Sequence, residues 1–109
     1  MNRESQKKPL LLYRHGDVLV AQIDAIPENA TKRPHLVLAE GEMTGHSHRI
    51  AAPGSAQILQ DGTTMYLRVK DPGATLVHQE HGPITIPPGE YRVWRQREYS
   101  PKEIRMVRD

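Results

Sequence analysis

With 109 residues, 15 Lys+Arg against 13 Asp+Glu, six His and no Cys, the chain has room for one hydrophobic core and no disulfide framework. Hydrophobic residues at 37% and charged residues at 26% exclude wholesale disorder, and no apolar run approaches the roughly 20 residues of a membrane helix. The net charge of +2 gathers at the ends, since residues 92–109 carry six positive and three negative charges while residues 10–91 carry six positive and nine negative.

Residues 1–9 are polar, carry Arg3, Lys7 and Lys8 against Glu4, and lack an apolar signal core. They predict a flexible basic tail on a cytoplasmic protein, followed by a single β domain over 10–109. Runs rich in Val, Ile, Leu, Thr and Tyr stand at 10–14, 17–23, 35–39, 45–51, 56–60, 63–70, 74–79, 84–86 and 91–99. Turn formers separate them: His15-Gly16-Asp17, Glu40-Gly41, Asp61-Gly62, Asp71-Pro72-Gly73, His81-Gly82-Pro83 and Pro87-Pro88-Gly89. Met65, Leu67 and Val69 alternate with Tyr66, Arg68 and Lys70, which is the period of a half-buried strand. Residues 26–34 read as a long loop. Ser100-Pro101-Lys102-Glu103 offers an N-cap, a first-turn proline and a capping-box glutamate, so a short terminal helical turn is possible there. The expectation is an all-β fold, a cupin-like antiparallel sandwich or small barrel of about eight short strands.

The histidines carry the chemistry. His15 and His35 stand alone beside turn residues and read as exposed or hydrogen-bonded loop side chains. The other four fall in two tight groups, Thr44-Gly45-His46-Ser47-His48 and His78-Gln79-Glu80-His81. Alternate residues of a strand share a face, so His46, His48 and Ile50 point the same way, which Ile50 suggests is inward. Two inward imidazoles are costly unless something pairs with them, and a metal satisfies both. His46, His48 and His81, with His78 competing for the third place, form a three-imidazole set with one position left for water. Glu80 is the acidic residue beside the cluster, a candidate general acid or base or an acceptor that orients an imidazole. Imidazole ligands favour zinc, with iron, manganese, cobalt and nickel as alternatives.

Gly41…His46-Ser47-His48 followed by Ile86-Pro87-Pro88-Gly89 resembles the two cupin motifs, which implies an antiparallel barrel with one internal metal. The cupin glutamate after H-x-H is replaced by Arg49-Ile50-Ala51-Ala52, and the histidine after P-x-G by Glu90-Tyr91-Arg92. H-x-H with a third His on a neighbouring strand resembles the zinc site of α-type carbonic anhydrases in ligand pattern. The succession T-G-H-x-H, H-x-E-H-x-P-I, P-P-G-x-Y-x-V and R-Q-R-E-Y resembles a family of small, largely uncharacterised bacterial and phage proteins, over about residues 14–109.

The functional expectation is a small metalloprotein that uses metal-bound water on a small-molecule substrate, by hydration of carbon dioxide or by hydrolysis. Three neutral imidazoles leave zinc its full charge, which lowers the pKa of bound water to about 7. Tyr91 or an arginine of the last long strand is a candidate to orient an anionic substrate. A cupin-type oxygenase or isomerase using iron or manganese is the alternative enzyme, and a metal-stabilised adaptor for protein or nucleic acid the alternative outside catalysis. Five aromatic residues are too few for a base-stacking platform, which argues against nucleic acid. Edge strands of a small β domain favour a homo-oligomer, a dimer or trimer.

Overall fold

The computed structural model describes residues 11–40 and 46–96. The expected basic tail, the residues 97–99 of the last predicted strand and the helical turn at 100–103 lie outside them. Of the described residues, 56% are strand and none is helix. Ten strands form: β1 (Leu12–His15), β2 (Val18–Gln22), β3 (Thr31–Lys32), β4 (Val37–Glu40), β5 (Ser47–Ile50), β6 (Ala56–Asp61), β7 (Thr64–Val69), β8 (Ala74–Val77), β9 (Ile84–Ile86) and β10 (Gly89–Arg95).

Two hairpins close through glycine. His15 pairs with Val18 and Asp61 with Thr64, leaving the two-residue turns Gly16-Asp17 and Gly62-Thr63. Gly16 (φ 64°) and Gly62 (φ 62°) hold the left-handed first position of these turns, whose twist matches the flanking strands. The first sheet runs β1-β2-β10-β7-β6-β3 and the second β4-β5-β8-β9, both antiparallel. The last strand thus lies inside the first sheet, between β2 and β7.

The inner faces of both sheets make one core. Val18, Val20, Ile58, Leu67, Val69, Tyr91 and Val93 from the first sheet pack against Leu38, Ile50, Ala74, Leu76 and Ile86 from the second. This is the sandwich form of the expected all-β fold, each strand burying alternate residues. The expected loop at 26–34 departs from expectation at one point. Thr31 and Lys32 form a short edge strand on β6, paired with Gln60 and Leu59. Both are exposed polar residues, so no hydrophobic alternation marks them in the sequence. The loop before them is tied down at Glu90, whose carboxylate accepts from Ile26 N–H (2.7 Å) and Arg68 Nε (2.9 Å).

Candidate metal centre

Strand alternation carries the two sheets' inner faces past the apolar core to a pair of histidines. His15 closes β1 on the same face as Tyr13, and His48 lies on the face of β5 that buries Ile50. Both are 2% exposed, and their Nδ1 atoms stand 2.9 Å apart, one from each sheet. His48 takes the inward place expected of it. His15 is buried, so of its two expected states it takes the hydrogen-bonded one, and it belongs to the histidine cluster although it stands alone in the sequence.

β8 ends at Val77, one residue short of His78, so the second histidine group sits on the loop to β9 rather than on a regular strand. That loop folds over His15 and His48. Ring centroids lie 4.3 Å apart for His48–His78, 4.7 Å for His78–His81, 5.8 Å for His48–His81 and 5.8 Å for His15–His81. His46 precedes β5 and stands at the rim, 5.7 Å from the ring of His78, with its Nδ1 3.3 Å from Glu80 Oε2. His35 is exposed and outside the cluster, its Nδ1 accepting from Val37 N–H. Tyr91, expected as a possible substrate contact, is instead fully buried in the core, its hydroxyl donating to Pro87 O at 2.7 Å.

Hydrogen bonding fixes the tautomers of the buried pair. A carbonyl oxygen only accepts, so His15 Nε2, 2.9 Å from Gly82 O, carries a proton. Neutral His15 therefore has a bare Nδ1, which accepts from His48 Nδ1–H. Neutral His48 is then left with a bare Nε2, 3.4 Å from Asp17 Oδ1. Burial holds both rings neutral: it pulls His15 below its usual value and His48 down to about 4, with His78 and His15 adding repulsion at His48. Burial pushes the Asp17 carboxyl upward, but the hydrogen bonds and charge of Arg95 outweigh it and keep the group ionised below its ordinary range. The result is a lone pair facing a carboxylate, two acceptors with no proton between them.

Arg95 Nε and Nη2 both donate to Asp17 Oδ2, at 3.2 and 2.8 Å, so Oδ1 is the oxygen turned to His48. Gly16 floors the site: a Cβ there would stand 2.6 Å from His81 Nε2 and 3.0 Å from His48 Cε1. No hydrogen bond among the described residues holds the His81 ring, whereas His78 Nδ1 accepts from Glu80 N–H at 2.9 Å. Among the described residues no three donors converge as a bound metal ion requires, so holding one would take ring rotation.

Residues 14–96 match the profile of a domain of unknown function, DUF8820. The chain belongs to that family. No curated protein and no solved structure matches it. In this DUF8820 domain every member of the cluster falls inside the matched span, which opens at Arg14 and closes at Gln96, and those two side chains are themselves hydrogen-bonded at 2.9 Å. Asp17 and His15 join the cluster without standing out in the sequence. Alternation of Tyr13 with His15 on β1 was the available signal for His15; the sequence offers none for Asp17, which reads as an ordinary turn residue. Among the described residues, no helix is long and apolar enough to cross a membrane.

Proposed function

We propose that the DUF8820 domain binds one divalent metal ion through His48 Nε2, Asp17 Oδ1 and His81, and uses it to activate water against a small substrate. The observation that carries this reading is the bare His48 Nε2 facing Asp17 Oδ1 at 3.4 Å. Two donors each about 2.0–2.1 Å from a tetrahedral zinc stand about 3.4 Å apart, so a cation between them relieves the repulsion without moving either group far. Neutral imidazole is the ligating form, and burial keeps His48 in it.

His15 orients His48 from behind, and the Gly82 carbonyl orients His15 in turn. His81 is free to turn onto the ion, while His78 has to release the Glu80 amide to do so. His46, with Glu80 at its Nδ1, stands at the rim beside His78, a partly exposed pair suited to passing a proton to solvent. Zinc on such a donor set supplies hydroxide near neutral pH, the reagent for hydration of carbon dioxide or hydrolysis of a small ester. Cobalt, nickel or manganese suits the same donors.

A second reading has its own observation. Two histidines and one carboxylate are also the ligands of non-haem ferrous oxygenases, so Asp17 favours iron over zinc to the extent that it ligates. Metal analysis and titration decide between them. Protein expressed without a His-tag and titrated with zinc, cobalt and ferrous iron is expected to bind about one equivalent. His48→Ala and Asp17→Asn should each weaken binding at least tenfold. Stopped-flow carbon dioxide hydration and ester hydrolysis then test the zinc form, and oxygen uptake the iron form. Absence of micromolar binding by any of these ions overturns the proposal.

A further inference from the structure

Beside Asp17 and His81 the surface opens into a groove of about 430 Å³, lined by Arg14, Gly16, Asp17, His81 and Gln96. Two of these are the ligands proposed above, so whatever occupies the groove lies against the metal position. Arg14 supplies the groove's cation. Its Nε donates to Gly16 O at 3.1 Å and its Nη2 to Gln96 Oε1 at 2.9 Å. Those hydrogen bonds fix the guanidinium plane, but both acceptors are neutral. Among the described residues the ion pairs of arginine are Arg68–Glu90 and Arg95–Asp17, and no carboxylate pairs with Arg14.

The contrast with Arg95 is instructive. Arg95 and Asp17 cancel one another, so Asp17 does not neutralise the groove's other cation. A guanidinium has five N–H donors, and two hydrogen bonds leave three for a ligand. A half-buried arginine, held in place and without a charge partner among the described residues, is the arrangement that recognises planar or tetrahedral oxyanions by paired donors.

We infer that this groove binds a small oxyanion, a carboxylate, bicarbonate or phosphate group, with Arg14 as its charge partner; its role as a substrate pocket rests on the metal reading above. Bicarbonate from carbon dioxide and the carboxylate from an ester both belong to this class. The inference therefore narrows the substrate to a molecule that carries such a group or acquires one in the reaction.

The test follows the Arg14 Nε–H resonance and the His81 ring resonances during titration of metal-free protein with sodium bicarbonate, acetate and inorganic phosphate in separate series. At least one anion is expected to shift both saturably at millimolar concentration, and the three series show which oxyanion the groove prefers. Arg14→Met should weaken that binding at least tenfold by the His81 signal. Arg14→Lys, which keeps the charge if the methionine variant fails to fold, should retain part of it. Arg92→Met removes an exposed cation elsewhere and should change nothing. No saturable shift, or equal affinity in Arg14→Met, overturns the inference. Cobalt titration of the same samples separates the two readings. Cobalt binding with an unresponsive Arg14 removes the anion site alone, and anion binding by protein that takes up neither cobalt, zinc nor ferrous iron removes the metal reading alone.

Discussion

Gly16→Ala and Gly62→Ala make a matched pair that isolates the site from the fold. Both glycines hold the first position of a two-residue hairpin turn at nearly the same angle, φ 64° and φ 62°. Forcing an L-residue into that left-handed conformation costs about 1 kcal/mol at either position, a fall of roughly 4–8 °C in Tm for a small domain. Their surroundings differ. A Cβ at Gly62 meets nothing within 4 Å, whereas one at Gly16 would lie 2.6 Å from His81 Nε2, 2.9 Å from His81 Cδ2 and 3.0 Å from His48 Cε1. His81 is exposed and its ring has no hydrogen bond among the described residues, so it swings aside at small cost. His48 is buried and tied to His15, and it gives by only a few tenths of an ångström. Thermal melts should therefore place the two variants within about 1 kcal/mol of each other. Cobalt titration should separate them, with affinity unchanged in Gly62→Ala and at least tenfold weaker in Gly16→Ala, about 1.4 kcal/mol. Equal cobalt affinity in the two variants refutes the placement of His81 at the ion. A gap between their melts well beyond 1 kcal/mol refutes the claim that His81 yields freely.

Tyr91→Phe removes the hydroxyl that donates to Pro87 O in the core and should cost about 1–3 kcal/mol by thermal melt, with cobalt affinity unchanged. Hydrogen bonds from Ile26 N–H and Arg68 hold the Glu90 carboxyl below its ordinary value, so its stabilisation is present above about pH 4.5 and is lost as pH falls through the lowered value. The Tm difference between the parent and Glu90→Gln should accordingly be greatest near pH 7 and shrink below pH 4.5. His48 has the same sign at higher pH, from burial rather than from a partner: the unfolded chain takes up a proton near pH 6.5 and the fold not until about 4, so chelator-treated protein should lose stability as pH falls across that window. The His48 shift alone corresponds to roughly 3 kcal/mol, and a melting temperature flat from pH 7 to pH 4.5 contradicts a neutral buried His48.

The sequence makes some parts of this domain legible and hides others for physical reasons. Alternation over Met65, Leu67 and Val69 and the Asp61-Gly62 turn mark β6 and β7 because burial on one face imposes period two, and the turn needs a left-handed residue. β3 leaves no mark, since two exposed polar residues pair through backbone alone. His46 and His48 stand out by spacing, and Ile50 correctly orients His48, but β5 starts at Ser47 and leaves His46 at the rim. A regular strand through His78 is also not formed, because β8 stops at Val77 and the chain turns to lay His78 and His81 over the inner face.

What stays hidden is the contribution of the first hairpin. Arg14, His15, Gly16 and Asp17 are four consecutive residues with four different tasks, and none repeats at a spacing that pattern reading detects. Strand pairing of β1 with β2 points Arg14 and His15 to opposite faces, and the Gly16 turn then lets Asp17 reach back toward His48. Their partners are remote in sequence: His48 lies 33 residues from His15, Gly82 67 residues away, and Gln96 82 residues from Arg14. Only the closing of the sandwich brings them together. Because β10 inserts beside β2, Gln96 ends next to Arg14, and the span of the DUF8820 match closes on itself at the wall of the groove. Asp17, proposed to hold the metal, and Arg14, proposed to hold the anion, thus meet at one tight turn. A change at Gly16 strains that turn and presses on both His81 and His48, which is why the glycine pair is the sharpest probe of this site.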